Sequence, residues 1–191
     1  AASEWALGMG FAVADSANWN GVRTGIGIDF ACNYSGDMFL PMRMALQSTR
    51  ALSNAEYEAR KRAPSVIEPK AESVLRMATI GGAEAINMQK EIGTLEKGKS
   101  ADIAIISTGA IHMTPSFDAV GALVMNARPS DISTVLVNGK IVKRDGKLVG
   151  VDWPSLRSRF AASANRIMDG FRTVDIPATT EATRPIIPHL E

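Results

Sequence analysis

Asp29 closes an apolar run, Thr24-Gly25-Ile26-Gly27-Ile28, and opens an irregular segment, Phe30-Ala31-Cys32-Asn33-Tyr34-Ser35-Gly36. Such a run fits a strand buried on both faces, as in a parallel sheet covered by helices. A carboxylate at the exit of that kind of strand stands where barrel and doubly wound folds carry their chemistry. Gly25 and Gly27 remove side-chain bulk just before the acid, leaving room for a ligand or for another backbone. The competing reading makes Asp29 a cap for the helix that follows. On this segment alone both readings stay open.

Other self-contained chemistry is sparse. The chain has two histidines, His112 and His189, and no His-x-His or His-Glu-x-x-His spacing, so the usual zinc motifs are absent. His112 lies between predicted strands and His189 in a tail-like segment, and each reads as a solvated or structural residue. Cys32 has no neighbour in sequence that would mark a thiolate nucleophile. Gly25-x-Gly27 lacks the third glycine of a dinucleotide fingerprint, phosphate-loop spacing is missing, and no serine sits in a Gly-x-Ser-x-Gly elbow.

The bulk properties exclude some partners. A net charge of +1, from 21 basic and 20 acidic residues, gives no footprint for nucleic acid or a membrane surface. Cys32 is the single cysteine, so no disulfide forms within the chain and a reducing compartment is expected. No apolar stretch approaches the roughly 20 residues that cross a bilayer, and no basic-then-apolar leader opens the chain. A soluble cytoplasmic protein is expected, and 191 residues are enough for one large domain or two small ones.

The elements around Asp29 fall into three parts. After the strand ending at Asp29, Asp37 is placed to cap a helix from Met38 to Leu52, with Pro41 in its first turn. Met38, Met42, Ala45 and Leu52 trace one face, flanked by Leu40 and Met44, and read as core packing. Ser53 to Pro69 is polar and interrupted by Pro64 and Pro69, predicting a loop with a helical turn. A second helix starts near Lys70 with Ala71, Val74, Leu75 and Ala78 inward. The Gly81-Gly82 pair is expected to interrupt it before a short helix from Ala83 to Met88.

Residues 92–151 read mostly as strand. Ile92 to Leu95 leads through the turn Glu96-Lys97-Gly98-Lys99 to a β-rich run, Asp102 to Ile106. Phe117 to Ala127 fits a short helix. Thr134 to Val137 and Lys140 to Lys143 flank Asn138-Gly139, a strong hairpin signal because type I′ turns need positive φ at both central residues. Asp145-Gly146 repeats the device before Lys147 to Val149, giving a three-strand meander suited to a small sheet or sandwich. A last helix starts near Pro154, with Leu156, Phe160, Ala164, Ile167 and Phe171 at spacings of three and four. From Thr173 the Thr- and Pro-rich chain is expected to be extended, docked or disordered.

Two stretches together carry a family resemblance: Val74-Leu75-Arg76-Met77-Ala78-Thr79-Ile80-Gly81-Gly82-Ala83-Glu84-Ala85 and Ile92-Gly93-Thr94-Leu95-Glu96-Lys97-Gly98-Lys99-Ser100-Ala101-Asp102-Ile103. They resemble the carboxy-terminal signature of the amidohydrolase superfamily, closest to the branch of cytosine and guanine deaminases and triazine and chlorohydrolase enzymes. The run Val135 to Val142 with Asp145-Gly146 is similar to the family's closing hairpin, and Gly27-Ile28-Asp29 to its last barrel strand. Gly36 to Phe39 and Arg43 fit the helical segment after that strand. The likeness covers roughly residues 1 to 171.

The resemblance implies an α/β fold: the C-terminal part of a TIM-like (β/α)8 barrel with the C-terminal half of a flanking β-sandwich. Residues 1–90 would hold the last barrel strand and its helices, 91–151 the sandwich part with its short helix, 152–172 the C-terminal helix and 173–191 an extended tail. It also implies that Asp29 binds a divalent metal, zinc ahead of iron, and shuttles the proton as water attacks an sp2 carbon. The scissile bond would be C–N or C–halogen in a small heterocyclic substrate. Asn33 and Tyr34 would line the substrate pocket, with Trp5, Met9 and Phe11 near the same mouth. Family members run to more than twice this length, with histidine ligands on earlier strands. The implied partners are therefore a missing N-terminal half or partner chain, and further copies in a homo-oligomer, because one or two barrel strands leave apolar edges uncovered. The alternative is a non-catalytic fragment, or an oligomerisation domain, that keeps the scaffold.

Overall fold

The computed structural model describes Gly8, residues 21–29 and residues 35–175. Its residues group into two compact units, Ala1–Val149 and Gly150–Glu191.

Helix α1, Phe39–Ala59, begins one residue after the predicted start at Met38. The Asp37 carboxylate accepts from the amides of Phe39 at 2.8 Å and Leu40 at 3.2 Å, two donors that a helix start leaves without partners. Pro41 falls in the first turn and is buried. The helix runs seven residues past the expected end at Leu52. Ala55, Glu56, Glu58 and Ala59 are good helix formers, and no breaker stands between Leu52 and Pro64, so the polar composition of this stretch marks a solvated helical face rather than a loop.

The second helical path is α2, Ala71–Arg76, a wider turn at Met77–Gly81, and α3, Gly82–Ala85. The sequence placed the interruption at Gly81-Gly82. The structure moves it to Thr79, whose φ of −126° and ψ of −105° leave the helical region. Gly81 and Gly82 are both helical, with φ near −60°. The Thr79 hydroxyl donates to the Leu75 carbonyl at 2.8 Å, a back-bond of the kind that bends helices. Arg76 Nη2 bridges the break to both carboxylate oxygens of Glu84, at 2.7 and 2.9 Å.

The sheet is four-stranded and antiparallel in the order β1-β2-β3-β4, with β1 Ile103–Ile106, β2 Ile132–Val137, β3 Lys140–Arg144 and β4 Lys147–Leu148. Ile103 faces Leu136 and Ala104 faces Val135, so β1 joins the predicted meander on its β2 side. Asn138 and Gly139 have φ of 47° and 76°, and Asp145 and Gly146 of 49° and 76°, the positive pairs that two-residue hairpins require. Ile92 to Leu95, expected to be strand-like, instead bends at residues 92–94 and forms no strand. The fourth helix, α4, is Ala119–Met125, capped by Asp118, which accepts from the Gly121 amide at 2.9 Å.

The core gathers α1, α2 and α4. Leu46, Val74 and Val124 are fully buried at its centre, with Phe39, Met42, Ala45, Ala71 and Met77 around them. Of the predicted methionine stripe, Met42 and Ala45 are core, while Leu52 is exposed. Arg43 ties α1 to α4 by donating from Nε to the Val124 carbonyl at 3.0 Å and from Nη2 to the Ala127 carbonyl. Those carbonyls end a helix and would otherwise lack donors. In the second unit, α5 spans Trp153–Phe171, with Pro154 in its first turn and Asp152 accepting from the Ser155 amide at 3.2 Å.

Candidate active site

Asp29 is exposed and has a φ of +62°. Left-handed backbone is unusual for a residue with a side chain, though aspartate tolerates it better than most. Strained conformations of this kind concentrate at functional sites. The helix-cap reading of Asp29 is not needed for α1, because Asp37 caps that helix.

Residues 21–29 form no ladder with the described strands. Among the described residues, the run predicted as a strand is held along the broken helical path. Arg23 Nη1 donates to Asn87 Oδ1 at 3.1 Å. The Ile26 amide donates to the Met77 carbonyl at 3.3 Å, and the Ile26 side chain packs on the core. Between these two ties the backbones nearly touch. A Cβ on Gly25 would lie 2.8 Å from Gly82 Cα, and a Cβ on Gly81 would lie 2.9 Å from the Thr24 carbonyl oxygen. The sequence left Gly25 and Gly27 open to either a ligand or a backbone. Gly25 receives a backbone, while nothing described lies within 4 Å of a Cβ at Gly27. A parallel strand takes its hydrogen bonds from neighbouring strands, and no described segment supplies one here.

The substrate-binding candidates Asn33 and Tyr34 lie outside the described residues, as do Cys32, Trp5, Met9, Phe11 and His189. Among the described residues no three His, Cys, Asp or Glu side chains cluster as a metal site. Asp29 therefore fits a metal as a single exposed oxygen donor, and the described residues do not complete a ligand set.

His112 is a structural residue, in line with its sequence reading. Its Nε2 lies 2.8 Å from Asp131 Oδ2, and the same oxygen accepts from the Arg128 amide at 2.8 Å. The His112 hydrogen bond holds the buried Asp131 carboxyl below the usual carboxylate range against the upward push of burial, with the Arg128 amide adding to the lowering. The pair joins the turn Ile111–Met113 to the turn Pro129–Asp131 that leads into β2.

One cavity was not legible in the sequence. A groove of about 670 Å³ lies between the second half of α1 and residues 64–68, bordered by Arg50, Asn54, Tyr57, Pro64, Val66 and Glu68. None of residues 21–29 borders it, and it holds no histidine or cysteine.

Comparison with known proteins places this arrangement. The model of the Amidohydrolase family matches residues 1–142, a span that contains Asp29, the glycine contact and the sheet up to β3. The chain belongs to the amidohydrolase family. It is 36% identical over 147 residues to a 5-methylthioadenosine/S-adenosylhomocysteine deaminase of Thermoanaerobacter pseudethanolicus, covering 76% of this chain and 32% of the relative. It is 36% identical over 140 residues to an S-triazine hydrolase of Gordonia rubripertincta, covering 73% of this chain and 27% of that enzyme. Among solved structures it is similar to an adenosine deaminase from Xanthomonas campestris with bound zinc, at a TM-score of 0.74 and 28% identity over 91% of this chain and 36% of the other. The atrazine chlorohydrolase of Arthrobacter aurescens, complexed with zinc, gives a TM-score of 0.72 and 26% identity, over 84% of this chain and 34% of that one. The chain thus spans about a third of the length of these relatives.

Proposed function

We propose that this chain is the C-terminal portion of a metal-dependent hydrolase that opens a C–N or C–halogen bond on a small heterocycle. Asp29 would be its contribution to the reacting centre. The observation that carries this reading is an exposed, left-handed aspartate, seated by backbone contacts, inside the span that matches the family. The similarity to zinc-containing relatives supports zinc as the metal.

A metal bound through Asp29 would supply a water acidified toward neutrality. The Asp29 carboxylate would be one of the groups that hold the metal. It would also serve as the base that takes a proton from water and the acid that returns it to a leaving nitrogen, while a halide would leave without one. Asn33 and Tyr34, a few residues further on, are proposed to orient the heterocycle by hydrogen bonding and ring stacking. The remaining ligands are proposed to come from other segments of a longer polypeptide or a partner chain, in an assembly of several copies.

Ammonia release from 5-methylthioadenosine and S-adenosylhomocysteine, set beside chloride release from a chlorotriazine, tests the reading. Turnover of one class that ends on chelation and returns with zinc supports it. Neither product from the zinc-loaded assembly of this chain with the segments that supply the remaining ligands would overturn it in favour of a non-catalytic interaction domain built on the same scaffold.

A further inference from the structure

The helical break at Thr79 and the glycines beyond it have no role in the chemistry just described, yet the path they form from Met77 to Asn87 meets the Asp29 segment at each described tie. Three contacts are in order. Passing from Arg23 through Gly25 to Ile26, the partners are Asn87, Gly82 and Met77, so the segment runs antiparallel to the broken helix. A continuous α-helix directs its carbonyls along its own axis, which leaves no general means of holding a second chain alongside. The wider turn at Met77–Gly81 changes that at one point, where the Met77 carbonyl takes the Ile26 amide at 3.3 Å. A carbonyl has two lone pairs, so it can serve the helix and a second chain together.

The glycines are conserving space here and not conformational freedom. Gly81 and Gly82 have ordinary helical angles, which alanine would adopt more readily. At Gly81, however, a Cβ would meet the Thr24 carbonyl at 2.9 Å and the Arg76 carbonyl at 3.0 Å. At Gly25 a Cβ would meet Gly82 Cα at 2.8 Å. Those neighbours are backbone and cannot turn aside as a side chain would. Gly82 differs, because its own Cβ would meet the Met77 carbonyl at 3.5 Å, an ordinary contact.

We infer that the broken helix is a seat that fixes the position of Asp29, with Gly25, Gly81 and the Met77 carbonyl as its positioning groups. The inference deepens the proposed function and rests on Asp29 being a metal ligand. Three residues separate Gly25 from Asp29, so a displacement at the seat is carried along a short segment to the carboxylate.

The experiment combines amide hydrogen exchange with zinc titration, both on the assembly of this chain with the segments that supply the remaining ligands. Gly25→Ala and Gly81→Ala are compared with Gly82→Ala and with Val124→Ala, which weakens the core without touching the seat. The seat predicts at least tenfold faster exchange at the Ile26 amide in the first two, together with at least tenfold weaker zinc binding. Gly82→Ala and Val124→Ala should stay within twofold of the parent in zinc affinity, whatever they do to thermal stability. Unchanged Ile26 exchange in Gly25→Ala, or equal losses of zinc affinity in Val124→Ala, would overturn the seat. Zinc binding that survives Asp29→Ala would instead overturn the ligand role of Asp29, and the exchange result would still judge the seat. If neither glycine variant folds, the parent chain decides. An Ile26 amide protected less than tenfold against its unfolded rate contradicts the inference.

Discussion

The backbone of Gly25 lies against that of Gly82 so closely that a Cβ on Gly25 would come within 2.8 Å of the Gly82 α-carbon. The Ile26 amide and the Met77 carbonyl lock the same junction at 3.3 Å. Three residues later the chain turns into the left-handed conformation at Asp29. The candidate catalytic acid is thus reached directly from the most tightly fitted backbone contact in the described segment.

That left-handed backbone separates the stability of Asp29 from its chemistry. Replacement by glycine should leave the protein as stable as the parent or slightly more stable, because glycine occupies positive φ without steric penalty. Replacement by valine should destabilise it by about 1–2 kcal/mol. Urea denaturation checks both. The two variants should lose activity alike, which a purely structural role for Asp29 would not produce.

The His112–Asp131 pair gives an acid-side signature. Asp131 has its folded pKa lowered, so its contribution to stability is present above the unfolded carboxylate value and is lost as pH falls through the folded one. Denaturation midpoints followed from pH 6 to pH 2 should therefore fall at the acid end of that range for the parent, and less steeply for Asp131→Asn. At neutral pH, Asp131→Ala should cost about 1–3 kcal/mol, since it leaves the Arg128 amide and His112 without their acceptor. Equal acid slopes in parent and Asp131→Asn would show that the pair does not carry this dependence.

Core and tie can be separated by two further substitutions. Leu46 is fully buried between the helices, so Leu46→Ala should destabilise by about 2–5 kcal/mol. Arg43→Met keeps the aliphatic stem but removes the donors from the Val124 and Ala127 carbonyls, for a loss of about 1–3 kcal/mol. The two sites sit on one helix and share neighbours, so their double variant tests whether the losses add.

Local signals explain which parts were legible in the sequence. The Asp37 cap, the type I′ pairs at Asn138-Gly139 and Asp145-Gly146, and the inward residues Ala71 and Val74 all follow from rules acting over a few residues. The end of α1 is hidden in the sequence because Ser53 to Ala59 is mostly polar, although its helix propensity continues the helix. The break at Thr79 was misplaced by two residues because glycine pairs usually interrupt helices. Here the pair serves a tertiary contact, and the interruption comes from a threonine back-bond that no local pattern announces. The strand reading of Thr24 to Ile28 differs in kind, since a strand is a property of its partners and none of the described segments pairs with this run. Asp29 itself stood out by type and place, but its left-handed backbone and its seat required coordinates.

Zinc bound per chain, measured by elemental analysis on the assembly of this chain with the segments that supply the remaining ligands, purified without chelators, tests the central claim most directly. The account predicts about one zinc per chain in the parent, its loss in Asp29→Ala, and a folded protein in both by circular dichroism. A parent without zinc, or an Asp29→Ala variant that keeps it, would contradict the assignment of Asp29 as a metal ligand.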